Sequence, residues 1–194
     1  PGFLFPPEGP HWVGPDLQSP ATLVMLAPGG SMEDEKTGKL LRENARGITL
    51  TDRNKLDEAE ACFRVLQAEF PDSPAPLFNL AVVHAKKGRD EEALREFSAV
   101  LKLDAASADA LLEIGLIHYR AGRYEKAEAA YLQALEIDGN DPKALNNLGV
   151  LRFVQERYDE AEKFFKKSLD IDPEDEDDWS DRRIMLRFDG VDSF

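Results

Sequence analysis

The chain is 194 residues long, 42% apolar and 32% charged, with a formal net charge of −14 at pH 7. That balance suits one globular or repeat domain with a sizeable core, while so strong a negative charge argues against nucleic acid, whose phosphates need a basic face, and against docking on anionic lipid. A single cysteine, Cys62, rules out an internal disulfide and points to a reducing compartment, so a cytoplasmic home is expected.

Residues 1–28 hold seven of the twelve prolines, no Lys or Arg, and only Glu8 and Asp16 as acids. Proline breaks helices and central strands alike, so the stretch is expected to be extended or polyproline-like. Its apolar cargo is led by Phe3, Phe5, Trp12, Leu17 and Leu23. The most apolar run, 21–28, is too short for a bilayer and lacks a basic flank, so neither membrane insertion nor an export signal is expected. Gly29-Gly30-Ser31 followed by Met32 reads as a flexible joint and then a start methionine. Residues 1–28 are therefore read as a partner's peptide fused to a repeat protein that starts at Met32; a native self-inhibiting arm and an incidental tag are the alternatives. Residues 29–39, if extended, would reach up to about 36 Å.

From residue 40 the sequence recurs with a period of 34, in blocks 40–73, 74–107, 108–141 and 142–175. Position 20 of each block holds Ala59, Ala93, Ala127 and Ala161, and four residues on come Phe63, Phe97, Tyr131 and Phe165. Position 8 reads Gly47, Ala81, Gly115 and Gly149, and position 7 reads Arg46, Leu80, Ile114 and Leu148. Small residues at fixed points mark close approaches of two helices, and an aromatic one turn on fills the space beside them. Ser73-Pro74 and Asp141-Pro142 each set an N-cap before a proline at the first helical position. Gly88 and Gly122 sit where a first helix should stop. Second helices are expected to begin at Asp57, Glu91, Glu125 and Asp159, acids that suit a helix N-terminus. Each block is therefore two helices of about 13 residues, roughly 20 Å long. The first block carries Glu43 where the others have Leu77, Leu111 and Leu145, and Arg46 where they are apolar. Polar replacements of this kind suit a first repeat with no outer neighbour.

These columns resemble the tetratricopeptide repeat family. The resemblance implies an all-α fold, a right-handed α-solenoid of four helix-turn-helix hairpins with a concave inner surface. It also implies that the first helix of each hairpin lines that surface through positions 2, 5, 6, 9, 12 and 13. In the second block these are Ala75, Phe78, Asn79, Val82, Ala85 and Lys86. The third block supplies Asp109, Leu112, Glu113, Leu116, Tyr119 and Arg120; the fourth supplies Lys143, Asn146, Asn147, Val150, Phe153 and Val154. Phe78, Val82, Leu112, Leu116, Tyr119, Val150 and Phe153 are expected to form a continuous apolar floor, the mark of a binding surface. Asn79, Asn146 and Asn147 can both donate to and accept from a ligand's main chain, which holds an extended peptide without reading its sequence. Co-chaperone members of the family grip a C-terminal carboxylate with Lys, Arg and Asn on this face. Here positions 5 and 9 are Asn44 and Ile48, then Phe78 and Val82, so that basic set is not assembled. An apolar, proline-containing peptide is expected instead, with residues 1–28 as the candidate.

Beyond 175 the register continues with Trp179, Ile184 and Leu186, read as a capping helix over 176–188. The acidic run 170–178 before it reads as a solvated loop that favours a helix start; an EF-hand's turn glycine and spacing are missing. His84 and His118 share position 11 of successive blocks and are expected to be packed histidines rather than a metal pair, since no third ligand is near in the pattern. Cys62 is expected to be buried and inert. No phosphate loop or nucleophile motif appears, so no cofactor, no metal and no enzyme activity are expected. The expected function is a non-catalytic protein–protein interaction adaptor that binds an extended peptide. The alternative is an assembly scaffold that self-associates or exchanges N-terminal arms.

Overall fold

The computed structural model describes residues 32–172. The expected ligand segment 1–28, its joint 29–31 and the capping helix 176–188 lie outside the described residues. Among those residues there are eight helices and no strand. They are α1 (Met32–Asp52), α2 (Leu56–Glu69), α3 (Pro74–Lys86), α4 (Asp90–Leu103), α5 (Ala108–Arg120), α6 (Tyr124–Ile137), α7 (Pro142–Val154) and α8 (Tyr158–Ile171). Two helices per block is the all-α hairpin repeat that the 34-residue period implies. The second helices begin one residue before the expected acids, which fall in their first turns.

Two expectations at the N-terminal side need correction. Residues 32–39 are helical, part of the 21-residue α1, and a helix advances 1.5 Å per residue instead of the 3.3 Å or more of extended chain. The extended reach expected of 29–39 therefore fails for most of its length. Ser73 has the extended backbone of an N-cap, yet its side chain makes no capping bond. Asp141 does cap, accepting from the backbone N–H of Lys143 at 2.9 Å and of Ala144 at 3.3 Å.

One turn recurs four times. Asn54, Gly88, Gly122 and Glu156, all position 15, take φ of 57°, 73°, 69° and 61°. The next N–H groups, those of Lys55, Arg89, Arg123 and Arg157, reach back to the carbonyls of Leu50, His84, His118 and Arg152, at 2.8 Å in the first and 2.9 Å in the others. This is the left-handed cap that ends a helix while satisfying carbonyls of its last turn. Glycine serves it twice, and Asn54 is a residue that tolerates it; Glu156 adopts it against its side chain's preference.

The described chain divides into two compact units, 32–117 and 118–172, the division falling within α5. In the first unit, α1, α2 and α3 enclose Ala59, Phe63, Leu66, Leu80 and Val83. A second cluster joins α3, α4 and α5 through Leu77, Ala81, Val82, Ala93, Phe97, Val100, Ala110 and Ile117. A methyl group added at Gly47 would stand 2.5 Å from the Phe63 ring, which is why a glycine faces that aromatic. Glu43 and Arg46, the polar replacements of the first block, pair with each other at 3.2 Å.

The second unit repeats the device. Ala127, Tyr131, Ala144, Leu145, Leu148, Leu151, Ala161 and Phe165 are buried, and a methyl at Gly149 would stand 2.5 Å from the Phe165 ring. Asp138, just past α6, accepts from the N–H of Asn140 at 3.0 Å. Asp104 does the same for Ala106 at the end of α4, again at 3.0 Å. An aspartate that hydrogen-bonds backbone two residues on closes the turn between hairpins.

Candidate functional site

In the first unit the first-helix residues divide by burial. Phe78 is half-buried, its ring edge-on to Phe97 with centroids 5.4 Å apart. Leu116 is half-buried and Lys86 exposed. Val82 belongs to the core cluster, and Leu112 and Glu113 are buried. Asn79 is also buried, and its Nδ2 donates to Asn44 Oδ1 at 2.9 Å, joining α3 to α1.

In the second unit two aromatic pairs occupy positions 12 and 17 of their blocks. Tyr119 and Tyr124 lie 5.9 Å apart, tilted; Phe153 and Tyr158 lie 5.4 Å apart, edge to face. Burial, then the neighbouring Tyr124, pushes the Tyr119 hydroxyl above its ordinary titration range. Tyr158 and Val154 are exposed, as is Arg120, while Asn147 and Val150 are half-buried. Asn146 is only 3% exposed, and its Oδ1 is buried with no hydrogen-bond donor.

Of the residues expected on the floor, Val82 and Leu112 are buried, while Phe78, Leu116, Tyr119, Val150 and Phe153 are half-buried. Val82 and Leu112 face inward because a short first helix must supply contacts to both neighbouring helices, and position in the repeat does not say which contact wins. Of the three asparagines, Asn79 serves the fold, whereas Asn146 retains an acceptor with nothing to accept.

The position-11 residues form a feature that the sequence shows only in part. His84 is 1% exposed. Its Nδ1 lies 2.8 Å from Glu96 Oε2 in α4, and its Nε2 lies 3.3 Å from Glu60 Oε1 in α2. Hydrogen bonds from Lys87 and Arg64 hold the Glu60 carboxyl far below the usual carboxylate range. In the fourth block position 11 is Arg152, 6% exposed, which residue type alone did not single out. It pairs with Glu128 of α6, donates to Gln155 Oε1 at 3.0 Å, and its Nε lies 3.3 Å from Glu160 Oε2. A signal for it is present in the register: Glu60 and Glu128 are both position 21. Hydrogen bonding from Arg152 lowers the Glu128 carboxyl.

His118 is half-buried, so it is less enclosed than expected. Burial, then the charges of Arg123 and Lys126, lowers its basicity. Among the described residues no three His, Cys, Asp or Glu side chains converge as metal ligands. Cys62 is half-buried instead of buried, with Sγ 3.4 Å from the Glu43 carbonyl oxygen. Burial, then the charge of Glu43, pushes its thiol up, which disfavours the reactive thiolate. No helix among the described residues is long and apolar enough to cross a membrane.

The tetratricopeptide repeat family model matches residues 72–140 and 106–174, together more than half of the chain. No curated protein sequence matches. Similar solved structures include the Cut9–Hcn1 hetero-tetramer of the APC/C, at 22% identity and a TM-score of 0.65, covering 70% of this chain and 26% of that one. PilF of Pseudomonas aeruginosa gives 24% identity and a TM-score of 0.66, covering 72% and 64%. The first tetratricopeptide domain of Spaghetti (RPAP3), bound to the HSP90 peptide SRMEEVD, gives 21% and 0.56, covering 61% and 94%. This chain therefore spans 26% of the first of these proteins and 64% of the second. At such identities the likeness is one of fold.

Proposed function

Because the chain belongs to the tetratricopeptide repeat family, we propose that it is a non-catalytic protein–protein interaction adaptor whose first-helix faces receive an extended, apolar, proline-containing peptide. The observation that carries this reading is Asn146, whose buried Oδ1 has no donor. An unmet buried acceptor costs about 1–3 kcal/mol, and a peptide N–H, met by a small turn of the amide, would recover it. The same unit carries Tyr119, Asn147, Val150 and Phe153, half-buried and able to give more surface to a ligand. Phe78 and Leu116 are the corresponding anchors in the first unit. One fold relative was solved with a peptide, SRMEEVD. That peptide is acidic, and the apolar residues at positions 5 and 9 here favour a different ligand. Residues 1–28 are the candidate, with Phe3, Phe5, Trp12, Leu17 and Leu23 as its anchors.

A titration of residues 32–194 with a synthetic peptide of residues 1–28, followed by heat and Trp12 fluorescence, tests this. Saturation at one to one is expected, with Tyr119→Ala or Asn146→Ala weakening it by about tenfold, as for a hot-spot contact. No saturation, together with a mass that grows with protein concentration, would replace the adaptor with the assembly scaffold.

A further inference from the structure

We propose that His84 is a proton-operated latch between the first hairpin and the second: protonated, its ring ties α2 to α4, and neutral, it holds only one of them.

The argument rests on the two ring nitrogens. Nδ1 is hydrogen-bonded to Glu96 of α4 at 2.8 Å, whereas Nε2 lies at ion-pair distance from Glu60 of α2, 3.3 Å, without hydrogen-bond geometry. A neutral imidazole carries one N–H, and an imidazolium carries two. Two carboxylates on opposite nitrogens can both be met by donors only in the charged form. The ring is 1% exposed, so water cannot replace a missing donor. Loss of the proton therefore removes the charge that both carboxylates face and leaves one ring nitrogen with no proton to offer the carboxylate nearest it.

Every charged group around the ring bears on this balance. From α2 come Glu60, with Asp57 and Arg64 beside it; past the end of α3, Lys87; from the turn before α4, Arg89; from α4, Glu96 and Glu92, the latter 3.9 Å from Nδ1. Lys87, at 2.7 Å, and Arg89, at 3.3 Å, also hold Glu60, so α2 keeps an attachment when His84 is neutral. Glu96 has less in reserve: its side chain hydrogen-bonds to His84 and to no other side chain among the described residues, with the charge of Arg64 acting on it from α2. Burial pushes the Glu96 carboxyl up, and the charge on His84 pulls it back. α1 and α5 bring to the adjoining clusters Leu40, Ile48, Leu50, Ala110, Ile114 and Ile117, none of which titrates. The latch thus needs Glu96 ionised and the ring charged.

Register supplies the control. Position 11 of the fourth block is Arg152, a side chain that cannot be deprotonated in a protein and that reaches acids at the same two kinds of site. His84→Arg therefore gives the same clasp a permanent charge. Hydrogen exchange of the full chain, read at α2 and α4 amides and corrected for intrinsic rates, is compared between pH 6 and pH 8. Protection in the wild type is expected to fall relative to His84→Arg by about tenfold, the worth of a charge-assisted hydrogen bond. Glu96→Gln, which leaves the ring in place, is expected to shrink that difference. Comparing variants at each pH cancels titration of the other histidines. Equal pH responses in the wild type and His84→Arg would overturn the latch, as would an unchanged response in Glu96→Gln.

Discussion

His84 in the first unit and Arg152 in the second stand at the same position of their blocks, and each is a buried nitrogen side chain set against glutamates from two helices. In both cases one glutamate is position 21 of the preceding block, Glu60 or Glu128, and the other comes from the residue's own hairpin. The surroundings differ. Glu60 also takes hydrogen bonds from Lys87, Arg64 and Arg89, whereas both bonds to Glu128 come from Arg152. One clasp is a shared network with a titratable centre; the other is a single fork with a fixed charge. The comparison teaches that a repeat can keep the geometry of an interface while changing how the interface responds to its solvent.

The sharpest way to break the comparison is to remove each centre. Arg152→Ala leaves Glu128 and Glu160 facing a cavity without their cation. Breaking a buried pair costs about 3–5 kcal/mol in full burial; because both glutamates are partly exposed, about 3 kcal/mol is expected. Urea unfolding followed by α7 and α8 amide exchange would measure it. His84→Ala is expected to cost less, since Glu60 keeps three other cations. If the two losses came out equal, the distinction between network and single fork would be wrong.

The third copy of the position sharpens the contrast. His118 has Arg123 and Lys126 as its charged neighbours in place of carboxylates, and its basicity is lowered by burial and by those charges. A histidine whose folded-state affinity for protons is depressed binds fewer protons folded than unfolded. Its contribution to stability is present above the ordinary histidine range and is lost as pH falls below that range, through the lowered folded-state value. His118→Tyr, the aromatic choice at this position, is expected to remove an acid-side loss of stability measured between pH 7 and pH 5. A steeper loss in the variant would show that the cations do not act on His118 as described.

Much of this architecture is legible in the sequence, for a physical reason. Gly47 and Gly149 face Phe63 and Phe165 so closely that no side chain fits, and such a constraint forces the same residue types at the same spacing. The period, the hairpins and the core columns all express it. The candidate site is less legible because exposure is a small difference between neighbours on one helix. Nothing in the types of Val82 and Val150 says that the first joins a core cluster and the second stays half-buried. Asn79 and Asn147 share position 6, yet the first is buried against Asn44 and the second stays half-buried. The clasps are half visible. Two histidines at position 11 attract notice, but an arginine among so many charges does not until Glu60 and Glu128 are set in register.

The smallest expected effect concerns the turn just past both clasps. Backbone N–H groups of Arg89 and Arg157 bond to the carbonyls of His84 and Arg152 themselves, so the left-handed residue between them fixes where each clasp ends. In the first unit that residue is Gly88, at φ 73°, and in the second it is Glu156, at φ 61°. A side chain in the left-handed region costs about 1–2 kcal/mol, of which glycine's extra freedom in the unfolded chain returns part. Glu156→Gly is therefore expected to stabilise the second unit by about 0.5–1 kcal/mol, with its exposed carboxylate contributing little on either side. The reverse change, Gly88→Glu, should cost about the same or slightly more, because nothing stands within 4 Å of a Cβ there and backbone strain alone is at issue. Thermal unfolding of the pair of variants measures both. Opposite shifts of similar size would show that the turn is one device used twice; a neutral Glu156→Gly would mean that Glu156 makes up its strain through contacts of its own.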